Sequence, residues 1–196
     1  KPEGIFYSQI PASVHLLPTP KELLWLGTPL GNKMLIENFC IKGCIGKFKW
    51  IVENKIFQLN KELNEEQKLW HLWKNIIPQS ENYYDIAISY MNGFPNYYVM
   101  DKVYAEKKVL WIHNEYQKLN YNIDFDRIYY KKCNRIVTIS QQCKESFVYS
   151  FPEFKDKISI LDNITIREDV INLGNDGIAG EFEKQNKLKL LSIGRL

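Results

Sequence analysis

The strongest constraint on the fold is a regular alternation of apolar runs and helical segments between residues 84 and 161. Strand-like runs cover residues 84–90, 107–113, 135–140 and 157–161, and helical patterns fill the intervals between them. A strand, a helix and a second strand form a right-handed crossover, which makes neighbouring strands parallel. The runs are almost continuously apolar, as expected for strands covered on both faces. The sequence therefore predicts an α/β fold, a Rossmann-like parallel sheet with helices on both faces.

The helices between these strands have recognisable ends. One is predicted near residues 96–105, and a second near residues 124–132 with Asp124 as its N-cap. A third helix is predicted to begin after Ser140, whose hydroxyl can cap it, and to end near Pro152.

The part of the chain before residue 84 is organised differently. Residues 1–45 are rich in proline and glycine, so we predict one short strand at residues 13–17 and loops around it. From about residue 47 to residue 77 the pattern becomes helical, and Pro78 ends it. The apolar stripe of this helix is formed by Leu69, Trp70, Trp73, Ile76 and Ile77.

The tryptophans of that stripe allow two interpretations. Together with Lys68 and Lys74, Trp70 and Trp73 could touch the inner face of a membrane as a peripheral contact. The same stripe could simply pack on the sheet.

Composition excludes several classes of protein. Hydrophobic residues make up 45% and charged residues 25% of the 196 residues, which is typical of a soluble globular protein. The net charge of +3 arises from 26 basic and 23 acidic residues spread along the chain, so we expect no nucleic-acid partner. The cysteines have neither CxxC spacing nor a dense framework, which favours reduced thiols and a cytoplasmic protein. Zinc binding by Cys40 and Cys44 would need a second ligand pair, which is not evident, and we expect no metal.

The best-placed chemical group is His113, at the end of the second predicted strand. Ligands of open parallel sheets bind at the carboxyl ends of the strands. An imidazole there can accept a proton, donate to a phosphate oxygen or orient a hydroxyl. We therefore predict His113 as the catalytic residue, whereas His15 and His71 lie in apolar surroundings and are interpreted as structural.

The loops that follow the first two strands supply further polar groups. Asn92 and Gly93 form a turn in which glycine permits close approach of the backbone to a ligand. Glu115 could act as a general base or could simply be solvated. The predicted residues of the cleft, where an acceptor would bind, are Asn92, Gly93, Asn114, Glu115, Tyr116 and Ser140.

The pair Gly194 and Arg195 follows a last apolar run and could bind a diphosphate. Glycine allows close approach and the guanidinium offers paired donors to phosphate oxygens. The sequence has no GxGxxG, Walker, GxSxG or HExxH motif, which argues against a self-contained dinucleotide enzyme, an NTPase, a serine hydrolase and a zincin.

Taken together, these segments resemble the GT-B glycosyltransferases of the large retaining family 4, in the branch that builds bacterial surface polysaccharides such as capsule. Residues 4–11 also resemble a stretch that follows the second strand of that family. The segments that carry the resemblance, in the order of the family, are residues 84–90 with Gly93, 107–113, 135–140, 155–158 with Asn163 and Ile164, and 190–196.

The resemblance implies a hexosyltransferase-type reaction. A sugar would pass from a nucleotide-sugar donor, linked to UDP or GDP, to a glycan or lipid-linked acceptor. It also implies that His113 lies near the transferred sugar, that Arg195 faces the donor diphosphate, and that no metal or other cofactor is required.

The resemblance further implies a division of the chain. Residues 1–170 would be an N-terminal acceptor-side domain without its first strands, residues 171–187 a linker, and residues 188–196 the first strand of a donor-binding domain. The glycine-rich first loop of the family is missing, as are a lysine expected soon after Arg195 and the paired glutamates of the donor domain. We expect no transferase activity from this chain alone.

Two other classes of function remain open at this point. One is a non-catalytic α/β module that binds glycans or a protein partner, and the other is a GT-B sugar-nucleotide epimerase.

Overall fold

The structure is a computed structural model that describes residues 7–20, 52, 62–75, 77–164 and 167–175. Within these ranges one sheet contains four parallel strands in the order β1-β2-β3-β4. They are β1 (Tyr83–Ser89), β2 (Tyr104–Ile112), β3 (Arg135–Thr138) and β4 (Ile158–Ile160). This confirms the predicted α/β class and the parallel sheet.

The described helices follow the predicted alternation closely. They are α1 (Glu65–Trp73), α2 (Phe94–Lys102), α3 (Ile123–Lys132), α4 (Gln141–Ser150) and α5 (Arg167–Asn175). Short 3-10 helices lie at Tyr7–Gln9, Tyr116–Lys118 and Pro152–Lys157. The strand predicted at residues 13–17 was wrong, because this segment is exposed and pairs with no strand of the described sheet.

The three helices that connect the strands pack on one face of the sheet. Consecutive strand order combined with right-handed crossovers places each connecting helix on the same side. Side chains from α2, α3 and α4 accordingly meet the strands in one core, which includes Val99, Tyr130, Phe147, Leu110 and Ile112. The helices predicted between the strands are therefore present, and they cover this face of the sheet.

The opposite face of the sheet is more open to solvent. Register pairs Ile88 of β1 with Val109 of β2, and Trp111 of β2 with Val137 of β3. Ile86 and Ile88 are more than half exposed, whereas Val109, Trp111 and Val137 are half-buried. Alternation along each strand therefore separates a dry core face from a partly exposed apolar face.

Helix α1 packs on other helices and buries its tryptophans. Trp70 is fully buried and Trp73 is 4% exposed, in a second core with Tyr97 of α2 and Tyr129 of α3. The Trp70 indole Nε1 donates to Asp101 Oδ2 at 3.0 Å. The tryptophans therefore pack among helices and neither face a membrane nor pack on the sheet, so the predicted membrane contact loses its basis. Ile76 of the stripe lies outside the described residues.

Two of the predicted helix caps can be compared with the structure. Ser140 caps α4 as predicted, because its Oγ accepts from the Cys143 backbone N–H at 3.2 Å. Asp124 was the wrong cap for α3, since Asn122 accepts from the Phe125 N–H at 2.9 Å and α3 begins earlier. Asp124 instead lies in the first turn, where its carboxylate pairs with Arg127.

The chain divides into two compact units, Lys1–Asp162 and Asn163–Leu196. The division falls shortly after the end of β4 at Ile160. In the second unit the structure describes helix α5, which includes the first five residues of the predicted linker at 171–187. The rest of that linker, the predicted strand at 188–196, Cys40 and Cys44 all lie outside the described residues.

None of the helices in the described part of the chain has both the length and the apolarity that crossing a bilayer requires.

Candidate functional site

The loops that follow β1 and β2 meet at the carboxyl edge of the sheet. The strands are adjacent and parallel, with Ser89 paired to Leu110 near their ends. Across this edge the Asn114 Nδ2 donates to the Asn92 Oδ1 at 3.2 Å. The Asn92 Nδ2 in turn donates to the Tyr121 hydroxyl at 3.3 Å. The structure therefore brings together two loops that both supplied predicted cleft residues.

His113 follows β2 directly and is half-buried at this edge. Its ring lies 4.9 Å from the Tyr90 ring and 6.2 Å from the Trp111 ring, measured between centroids. The His113 Nε2 is buried and has no hydrogen-bond partner among the described residues. A buried polar atom without a partner in a native protein calls for an explanation, and a ligand that binds there would supply one.

Gly93 lies at the start of α2 with a φ of +79°, a conformation that favours glycine. The sequence predicted that a ligand approaches this backbone closely. In the structure the group that approaches is the Glu66 carboxylate of α1, whose Oε2 accepts from the Phe94 N–H at 2.9 Å. A Cβ on Gly93 would lie only 1.8 Å from that oxygen. Glycine is needed here to seat Glu66 on the helix N-terminus.

Glu115 and Tyr116, two of the predicted cleft residues, both have side-chain partners within the structure. Glu115 is half-buried and forms an ion pair with Lys118 at 2.7 Å, which occupies the carboxylate that could have been a base. The Tyr116 side chain is only 2% exposed, so little of it is available to a ligand in the predicted cleft. The 3-10 turn at Tyr116–Lys118 directs it into the core, where its hydroxyl donates to Asp126 Oδ2 at 2.7 Å.

Ser140 is half-buried at the end of the β3 loop, near the same edge. Its hydroxyl is engaged as the N-cap of α4, so the structure gives it a local structural role. Gly194 and Arg195, the predicted diphosphate site, lie outside the described residues.

A buried carboxylate network around Asp126 was not predicted from the sequence. Asp126 of α3 is 1% exposed and accepts from Gln67 Nε2 at 2.7 Å, Tyr97 OH at 2.6 Å and Tyr116 OH at 2.7 Å. Burial raises the pKa of the Asp126 carboxyl to about 6, although these three donors oppose the rise. The network joins α1, α2, α3 and the loop after β2, and it holds that loop in place.

The aromatic partners of His113 were also missed. Trp111 and His113 are two residues apart at the end of β2, so their side chains project from the same face of the sheet. Tyr90 comes from the end of β1 and contacts both rings. This period of two was readable in the sequence, but the contact with Tyr90 depended on the strand register.

The described ranges contain no cluster of three or more histidine, cysteine, aspartate or glutamate side chains that could hold a metal ion. Cys133 and Cys143 are free and buried, and burial raises the pKa of the Cys133 thiol to about 11, which disfavours the reactive thiolate.

No family model, no curated protein and no solved structure matches this chain.

Proposed function

We propose that this chain is the acceptor-side domain of a retaining GT-B glycosyltransferase. The enzyme transfers a sugar from a UDP- or GDP-linked donor to a glycan or lipid-linked acceptor during synthesis of a surface polysaccharide. The acceptor hydroxyl oxygen forms a bond to the anomeric carbon, and the bond from that carbon to the nucleoside diphosphate breaks. The hydroxyl proton is transferred to the departing diphosphate.

The observation that carries the proposal is the position of His113. Its imidazole lies at the carboxyl end of a central parallel strand, where ligands of such sheets bind. Its Nε2 has no partner within the described structure, so this nitrogen is not needed to hold the fold together. In the proposed reaction it forms a hydrogen bond to a hydroxyl of the transferred sugar and orients it.

The surroundings of His113 are consistent with a neutral sugar. Asn92 and Asn114 provide amide groups, and Tyr90 and Trp111 provide aromatic faces. A mostly apolar lining with a few placed polar groups is typical of small-molecule sites. The proposal assigns to Arg195 the stabilisation of the negative charge on the diphosphate, as the sequence resemblance implies.

A glycan-binding module without catalysis is the second candidate, and the engagement of Glu115 favours it. That carboxylate pairs with Lys118, which leaves His113 without a free acidic partner from its own loop. The peripheral membrane contact is not part of either proposal, because Trp70 and Trp73 are buried.

The test is a transfer reaction with the protein expressed from its complete reading frame. The protein is incubated with a panel of UDP- and GDP-sugars and lipid-linked glycan acceptors, and products are identified by mass spectrometry. The proposal predicts an acceptor enlarged by one sugar, with the anomeric configuration of the donor retained. Binding of glycans without transfer from any donor would favour the module, and epimerised nucleotide sugar would favour an epimerase.

A further inference from the structure

Two buried nitrogens belong to residues two apart at the carboxyl end of β2, and neither has a hydrogen-bond partner in the described structure. They are the His113 Nε2 and the Trp111 Nε1; the remaining unpaired buried side-chain atoms in that part of the chain belong to Asn96. A buried polar atom without a partner destabilises the folded state. Two such atoms on neighbouring rings of one strand face indicate a site that a ligand completes.

The geometry of the two rings suits a common ligand. The Trp111 and His113 rings are nearly parallel, with an interplanar angle of 17° and centroids 6.2 Å apart. They project from the same face of β2, and the Tyr90 ring lies 4.9 Å from each. The three rings therefore form one aromatic group that contains both unpaired nitrogens.

The chemistry of the two nitrogens favours hydroxyl groups. Indole Nε1 is only a donor, whereas the Nε2 of a neutral imidazole donates in one tautomer and accepts in the other. Hydroxyl groups match both, because each oxygen accepts and donates. The polar side chains of the adjoining loops include the neutral Asn92 and Asn114, and Glu115 is paired with Lys118. The site therefore fits a neutral polyol better than an anion.

We infer that Trp111 and His113 form a two-nitrogen subsite for the hydroxyl groups of a neutral sugar ring, with Tyr90 as its cover. Both nitrogens are shielded from solvent, so binding requires a side-chain movement, which we assign to Tyr90 because its ring lies against both others. Tyr90 is 57% exposed, which leaves its outer side free of packing. The inference rests on the proposed function for the identity of the ligand, and it adds Trp111 as a binding residue.

The experiment records the indole N–H resonances of the ¹⁵N-labelled protein during titration with methyl glycosides of glucose, galactose, mannose and N-acetylglucosamine. We expect the Trp111 indole resonance to move downfield with at least one glycoside, as its N–H gains an acceptor. The Trp70 resonance is the internal control, because its Nε1 already donates to Asp101. Inorganic phosphate serves as an anionic probe and should leave the Trp111 resonance in place.

The variant Trp111→Phe removes the N–H and keeps an aromatic ring. We expect the dissociation constant of the bound glycoside, measured by saturation-transfer NMR, to rise about three- to tenfold, the usual worth of one neutral hydrogen bond. The control Tyr104→Phe changes an exposed tyrosine at the other end of β2 and should leave it unchanged. If Trp111→Phe does not fold, the Trp111 resonance is assigned from triple-resonance spectra of the wild type. The glycoside titration of the wild type then decides the inference.

The inference is overturned if no glycoside moves the Trp111 resonance, if phosphate moves it instead, or if Trp111→Phe binds as tightly as the wild type. These results are separable from the proposed function. A protein that transfers sugars while its Trp111 resonance ignores glycosides keeps the function and loses the subsite. One that binds glycosides at Trp111 and transfers none keeps the subsite and loses the function.

Discussion

Replacement of Asp126 by asparagine should change how the stability of the protein depends on pH. Burial raises the pKa of this carboxyl from 3.8 to about 6, against the opposing effect of hydrogen bonds from Tyr97, Tyr116 and Gln67. Because the folded pKa lies above the unfolded one, the folded state binds the proton more tightly. The stabilisation is complete below pH 3.8 and is lost as the pH rises through 6. A shift from 3.8 to about 6 corresponds to about 3 kcal/mol.

Asparagine at position 126 preserves the network and cannot ionise. Its oxygen can still accept from Gln67 and Tyr97, which both donate to Oδ1 of the native carboxylate. Its amide can donate to the Tyr116 hydroxyl oxygen, as the protonated carboxyl would. The difference is the free energy of unfolding of the wild type minus that of Asp126→Asn. It should therefore fall by about 2 kcal/mol between pH 4 and pH 7, because part of the total of about 3 kcal/mol is already lost at pH 4.

The measurement is urea unfolding of both proteins at pH 4, 5, 6 and 7, followed by circular dichroism and tryptophan fluorescence. Asp124→Asn is the matched control, since it removes a carboxylate from the same helix at a position where the side chain is 88% exposed. Its difference from the wild type should vary much less with pH. A difference for Asp126→Asn that stays flat, or that rises with pH, would refute the argument that burial outweighs the three donors.

Three further substitutions test local features of the structure by thermal or urea unfolding. Gly93→Ala should lower the free energy of unfolding by about 1–3 kcal/mol, because Gly93 has a positive φ and there is no space for a Cβ. The control is Gly174→Ala, in helix α5, where an added Cβ would have no atom within 4 Å. It should not destabilise its unit. Tyr116→Phe should cost about 1–3 kcal/mol, and more above pH 6 than below it, because it removes a donor to Asp126; equal cost at both pH values would contradict the assignment. Ser140→Ala should cost about 1 kcal/mol by loss of the α4 cap, with Ser140→Asp restoring most of it; no loss in the alanine variant would show that the cap does not matter.

The alternation of strands and helices was predictable from the sequence because its signals are local. Apolar runs and turn residues identified β1 to β4 and the helices between them, and Ser140 was correctly identified as a cap. Details that depend on neighbouring elements were less accessible. Asn122 caps α3 in place of Asp124, and its backbone also bonds with Gln67, a residue far away in the chain.

The candidate site was predictable to the extent that it follows from topology. The contact between Asn92 and Asn114 follows from two adjacent parallel strands that end at the same edge. The burial of Tyr116 and the network of Asp126 do not, because the bond from Gln67 to Asp126 spans 59 residues of sequence. A lone aspartate in a helix gives no signal of its burial until the packing of three helices is known.

The most direct test of the central claim, that His113 acts at the reacting sugar, is the turnover number of the His113→Ala enzyme. In the protein from the complete reading frame, with saturating nucleotide sugar and acceptor, the account predicts a fall in kcat of at least about 100-fold. His15→Ala, which removes an exposed imidazole, is the matched control and should keep the wild-type rate. A near wild-type kcat for His113→Ala would contradict the account and reduce His113 to a residue of the fold.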